Sequence, residues 1–244
     1  MNEPIVEVST VSDDEVVVHV SDAYDHASEV AMPRVVRVAG LRPESSYEVE
    51  GASVRTLARP PGAHLSSFAT VNDVHFGEVE CGVLEGFETG PILSVGPGEV
   101  PYPQMMNRCA VEEISDLAPD AVLAKGDLTT IGTREEYQTF LDCYRAGFGD
   151  RLHFVRGNHD AMSGLDFGLD APRELELDGV RLAILDTVIP GRSNGQVSSD
   201  QLEWLDELGA RSDRPVLVFG HHHVWDPSSH NRPLEYFGVN PDDS

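Results

Sequence analysis

The chain is short of positive charge. Lysine occurs once, at Lys125, and 17 basic residues stand against 42 acidic ones, a net charge of −25 over 244 residues. A field of that sign repels nucleic acid and anionic membrane surfaces, so neither is expected as a partner. It repels phosphate compounds too, so a site for them must be made attractive locally, by metal cations. Surplus acid also serves solubility with no further role. Cysteine is scarce: Cys81, Cys109 and Cys143 are odd in number, widely spaced and without a C-x-x-C pair. A disulfide framework is thereby excluded, and a reducing compartment fits. Long hydrophobic runs are missing, with no stretch near the roughly 18 apolar residues of a membrane span. Met1 to Val11 carries acids and no apolar signal-peptide core, so a cytoplasmic location is expected.

What is present reads in two regimes. Residues 1 to about 63 hold short β-branched runs, Ile5–Val8, Glu15–Val20 and Arg34–Val38, separated by acids and Pro33. Leu41-Arg42-Pro43-Glu44-Ser45-Ser46-Tyr47 resembles the tyrosine corner of fibronectin-III-like sandwiches. A small all-β module is expected, ending at the linker Arg59-Pro60-Pro61-Gly62. From residue 64 to 244, strands alternate with helices. Phe68–Val71, Ala121–Ala124, Leu152–Val155 and Pro215–Phe219 are short apolar strands, and Leu175–Leu177 and Val180–Leu185 flank the hairpin signal Asp178-Gly179. Helices are predicted over Cys109–Leu117, after the capping box Thr133-x-x-Glu136, and from Ser199, with Leu202, Leu205 and Leu208 on its apolar face. Gly77 to Pro103 shows no periodicity and is predicted to be a long surface loop. The fold class is α/β, a layered sheet with helices behind a small β module.

Chemistry-bearing residues follow the predicted strands in order: Asp73-x-His75, Gly126-Asp127, Gly157-Asn158-His159-Asp160 and Gly220-His221-His222-His223. Two residues apart on an extended strand end, Asp73 and His75 share a face and can bind one cation together. Gly126 permits a tight turn and close backbone approach. Each group has a plain alternative: a salt-bridged pair, a turn, a left-handed turn with a helix cap, a fortuitous histidine run. Four in order at strand carboxyl ends describe a hydrolytic metal site instead.

This pattern resembles the calcineurin-like metallophosphoesterases, most of all class III cyclic-nucleotide phosphodiesterases and their glycerophosphodiesterase relatives. The likeness runs from residue 68 to about 225. It extends to Pro119-Asp120-Ala121-Val122, Glu135-Glu136-Tyr137 and Gln201-Leu202-Glu203-Trp204-Leu205. Purple acid phosphatases share a preceding β-sandwich but lack the histidine of the first motif. The resemblance implies a layered β-sandwich with flanking helices. It implies two divalent or trivalent ions, Fe, Mn, Zn or Co, that generate a metal-bound hydroxide, and a small phosphoester substrate. Asp73 and His75 would bind the first ion, Asp127 both, and Asn158 and His221 the second. His159 would protonate the leaving oxygen or stabilise the transition state, and Asp160 would orient His159. The substrate expected is a cyclic nucleotide or small phosphodiester, with Tyr102 as a candidate contact and loop 77–103 lining its pocket.

The family pattern also ends in a G-H-x-H motif with one histidine for each ion. The chain ends at Ser244 before one occurs, and the tail from Trp225 holds only His230. The expected reading is a truncated piece of an active enzyme. The alternatives are ligands from a partner chain, His230 as a replacement, a phosphomonoesterase on the same metal core, or a catalytically silent scaffold. Oligomeric state is not legible.

Overall fold

The computed structural model describes residues 4–21, 34–84, 87–224 and 237–239. His230 lies outside them. Two compact units divide the chain, Met1–His64 and Leu65–Ser244.

The first unit is all-β among its described residues. Strands β1 (Ile5–Val11), β2 (Glu15–Ser21) and β3 (Arg34–Ala39) form an antiparallel sheet with β2 central, and β4 (Ser46–Val49) pairs with β5 (Ala52–Arg55). The β4–β5 pair closes tightly. Its two-residue turn, Glu50-Gly51, has φ of 49° and 88°, the left-handed pair that matches strand twist in tight hairpins. Alternation on β2 buries Val16 and Val18 against Val49 and Val54. Tyr47 Oη accepts the Arg42 N–H at 2.8 Å, the hydrogen bond expected of a tyrosine corner.

The second unit contains, in chain order, β6 (Phe68–Val71), β7 (Glu80–Leu84), β8 (Phe87–Ser94), α1 (Tyr102–Leu117), β9 (Ala121–Lys125), α2 (Arg134–Phe148), β10 (Leu152–Val155), β11 (Arg173–Leu177), β12 (Val180–Ile184), α3 (Ser199–Arg211) and β13 (Val216–Phe219). One sheet is fully parallel in the order β10-β9-β6, and a second runs β11-β12-β13 with β12 and β13 parallel. The apolar run of β9 is explained by burial on both faces. Val122 and Ala124 pack into a core with Phe76, Phe140 and Tyr144, while Leu123 meets Val155, Ile184 and Phe219 across the second sheet. Phe68 and Phe219 close that layer edge-on at 5.7 Å between ring centres.

Helix α2 opens on a true capping box: Thr133 accepts from the Glu136 N–H, and Glu136 accepts from the Thr133 N–H. Two expectations need correction. Residues 77–103 are no bare loop but the hairpin β7–β8 followed by an earlier start of α1. Gly82, at φ 85°, lies where the pairing register shifts between Cys81 and Val83, so the residue that reads as a breaker makes a bulge. Pro103 sits in the first turn of α1, where its missing N–H costs nothing. On α3, Leu202 is exposed, and the inward positions are Gln201 and Leu208. Gln201 is buried because its amide bonds both backbone groups of Asp186, at 2.8 Å each.

Candidate metal centre

The parallel strands deliver their following loops to one place. After β6 the chain passes through Asp73 and His75, and the amides of Asp73, His75 and Phe76 donate to the carbonyls of Gly126, Asp127 and Leu128. The loops after β6 and β9 are thus zipped together beyond the strands themselves. Asp73, His75 and Asp127 all have left-handed backbones, with φ of 52°, 42° and 48°. Asp73 and His75 are therefore brought together not by the extended alternation expected from their spacing but by their own left-handed backbones on either side of Val74. Each such non-glycine residue costs about 1–2 kcal/mol. The other described non-glycine residues with positive φ are Glu44, Glu50 and Ala118, at turns and a helix cap, so the strain unexplained by chain reversal concentrates on the candidate ligands.

Asp127 is the hub. Its Oδ2 lies 3.6 Å from His75 Nε2, 3.5 Å from His221 Nε2 and 4.0 Å from His159 Nε2, and its Oδ1 accepts the His159 N–H at 3.0 Å. Asp73 Oδ1 is 3.8 Å from His75 Nε2, and Asn158 Oδ1 is 3.2 Å from His221 Nε2. Two triads fit a cation, His75–Asp127–His159 and Asp73–Asp127–His221, with Asp127 in both. The expected grouping puts Asp73 with His75, which lie 3.8 Å apart, and leaves His159 unligated. Gly157 makes the approach feasible: a Cβ there would lie 2.1 Å from Asp127 Oδ1.

Ring orientation is set by backbone. His221 Nδ1 donates to the Lys125 carbonyl at 2.8 Å, and His159 Nδ1 to that of Thr130 at 2.6 Å, leaving both Nε2 lone pairs toward Asp127. Burial opposes charge on His75 and His221, yet Asp73 and Asp127 around the first and Asp127 beside the second outweigh it and raise both above the ordinary imidazole range. For Asp127, burial favours the neutral acid, but the His221 imidazole and the His159 amide prevail and hold its carboxyl low. A buried carboxylate with imidazole nitrogens 3.5–4.0 Å away is the donor set that borderline cations take up.

His222, next to the candidate ligand His221, turns away. Its Nδ1 and N–H both meet Thr187 Oγ1, at 2.8 and 3.1 Å, and burial followed by the His221 charge pushes it down to about 4. Asp160 was expected to orient His159, and the structure gives that task to the Thr130 carbonyl. The Asp160 carboxylate is buried and accepts from the N–H groups of Leu128, Thr129 and Gly157 and from the Thr129 hydroxyl, at 2.6–3.1 Å. It clasps the loops after β9 and β10 to each other. Thr129, Thr130 and Thr187 carry no sequence signature, because the Asp160, His159 and His222 groups they bond lie about 30 residues away in the chain. Tyr102 Oη donates to Glu78 at 2.7 Å, and both line a cavity of about 460 Å³ that also reaches Asp73 and His75.

The family model for the calcineurin-like phosphoesterase superfamily domain matches residues 87–241, more than half of the chain. The chain belongs to this superfamily. Asp127, Asn158, His159 and His221 lie inside the matched span; Asp73 and His75 precede it. Among curated relatives, a cAMP/cGMP dual specificity phosphodiesterase of Mycobacterium tuberculosis is 35% identical over 44% of this chain and 38% of its own length. A protein named probable glycerophosphodiester phosphodiesterase GpdQ, of Arcobacter nitrofigilis, is 31% identical over 43% and 42%. The 3',5'-cyclic adenosine monophosphate phosphodiesterase CpdA of Haemophilus influenzae is 32% identical over 43% and 40%. The alignments thus span about two-fifths of each relative.

Proposed function

We propose that this superfamily member is a metal-dependent phosphodiesterase whose two ions share Asp127. The observation that carries the reading is the convergence of two three-ligand groups on that one buried carboxylate. Asp73, His75, Asp127, Asn158 and His221 would hold the ions, of which Fe, Mn, Zn and Co all suit the donor set. Bound there, the ions supply positive charge to the phosphate and a water of lowered pKa. The protein's part is to hold its ligand atoms in place before metal arrives, and the zipped loops, the Asp160 clasp and the two fixed histidine tautomers do that.

His159 belongs to one triad by distance alone. Its side chain keeps 32% of its surface exposed, against 19% for His75 and 8% for His221, which favours a place facing substrate. With Nδ1–H committed to Thr130, a second proton on Nε2 is the one available to a departing alkoxide. The cavity lined by Glu78 and Tyr102 would take an organic arm of the diester. The names of the relatives support a cyclic nucleotide or a small glycerophosphodiester. Three free cysteines support a reducing, cytoplasmic setting, and among the described residues no helix is long and apolar enough to cross a membrane.

The test is Mn²⁺-dependent hydrolysis of bis(p-nitrophenyl) phosphate against p-nitrophenyl phosphate, by this chain and by Asp127→Asn. Preferred turnover of the diester, falling by roughly 100-fold or more in the variant, is expected, since even the outer partners of metal ligands are worth about 10–100-fold. Equal turnover by both proteins would sink the shared-carboxylate reading. Preference for the monoester would move the assignment to a phosphomonoesterase.

A further inference from the structure

Asn107 stands inside α1 and is buried, a poor residue for a helix interior and a costly one for an apolar core unless fully bonded. Its Nδ2 donates to the carbonyl of Val74 at 2.9 Å and to that of Pro103 at 2.8 Å. Its Oδ1 accepts from Tyr144 Oη on α2 at 2.7 Å. Tyr144 is fully buried among Phe76, Phe140 and Phe148. Carbonyls only accept, so those of Val74 and Pro103 fix the Asn107 NH2 toward themselves and leave Oδ1 to accept from the Tyr144 hydroxyl.

The partner at the other end gives this bridge its meaning. Val74 is the residue between Asp73 and His75, and both neighbours are left-handed. Strained backbone of this kind persists only where the surroundings over-determine it. On one side the amides of Asp73 and His75 are held by the carbonyls of Gly126 and Asp127. The Val74 carbonyl is held by Asn107, reaching from a helix, with a second helix locking the amide. A leucine and a phenylalanine would fill the same space but leave the Val74 carbonyl without its Asn107 donor. The polar pair therefore does something that packing alone would not.

We propose that Asn107 and Tyr144 are positioning residues, a buried bridge that keeps Asp73 and His75 in ligand geometry. The inference rests on the two-metal reading above and goes beyond it. Its test is Mn²⁺ affinity by titration calorimetry, alongside urea unfolding of the metal-free proteins, for wild type, Tyr144→Phe, Asn107→Leu and the double variant. Expected is a 10–100-fold weaker Mn²⁺ affinity for Asn107→Leu with cooperative unfolding kept, a smaller loss for Tyr144→Phe, and no further loss in the double variant, since the pair acts as one unit. Tyr144→Phe removes a single oxygen and keeps the measurement decisive should Asn107→Leu fail to fold. Variants that fold and bind Mn²⁺ as tightly as wild type overturn the bridge while leaving the two-metal reading intact. A wild-type chain that binds no Mn²⁺, like Asp127→Asn, overturns both.

Discussion

At the scale of single residues, the site is governed by what each atom has left to offer after its local bonds are made. His159 spends Nδ1 on Thr130 and presents Nε2 toward Asp127. If that nitrogen delivers a proton to the leaving oxygen, His159→Asn should matter in proportion to how badly the leaving group needs it. General acids contribute about 10²–10⁴-fold, so a diester of an ordinary alcohol is expected to slow by that order. Bis(p-nitrophenyl) phosphate, whose leaving group departs unaided, should slow far less. Equal losses on both substrates would instead make His159 a metal ligand, as its distance from Asp127 also permits. Gly157 offers a second test, because it contributes only the absence of an atom. With a Cβ 2.1 Å from Asp127 Oδ1, Gly157→Ala must displace either the carboxylate or the loop. Mn²⁺ affinity is expected to fall by roughly 10–100-fold, and an unchanged affinity would show that Asp127 is not held where the ions bind.

At the scale of elements, α3 shows how a polar residue enters a core. Gln201 takes the inward place anticipated for Leu202, beside the buried Leu208, because its amide completes the hydrogen bonding of Asp186 where the chain leaves β12. Gln201→Leu keeps volume but strands a donor and an acceptor of the backbone, each costing about 1–3 kcal/mol when buried and unmet. A loss of about 2 kcal/mol or more in urea unfolding is expected; a neutral result would mean that water reaches Asp186. The same contrast explains what was legible in the sequence. Strands β6, β9, β10 and β13 and the capped α2 were readable because apolar runs and a capping box are contiguous. The candidate ligand motifs were readable because they closely follow those strands. The hairpin β7–β8 was not, since Gly82 hid its alternation while building its bulge. Asn107, Thr129, Thr130 and Thr187 were not, since their partners lie on other elements and only the fold brings them together.

At the scale of the whole molecule, the surplus of acid sets a condition on any phosphate substrate. The chain carries −25, and its repulsion acts over a distance that ionic strength controls, about 30 Å at 0.01 M and about 8 Å at 0.15 M. Ions held at Asp127, as proposed above, would attract at contact and be screened far less. Raising salt over that range removes the long-range repulsion while sparing the local attraction, so kcat/KM should rise rather than fall. The rise in kcat/KM should come mainly from a lower KM. It should also scale with substrate charge, and so be steeper for the p-nitrophenyl phosphate dianion than for the bis(p-nitrophenyl) phosphate monoanion. Measuring kcat/KM for both compounds at fixed pH and Mn²⁺ across this range checks the claim. A profile that falls with salt for both would mean that the field at the cleft mouth is already positive, and that the acidic surface lies where substrates do not approach.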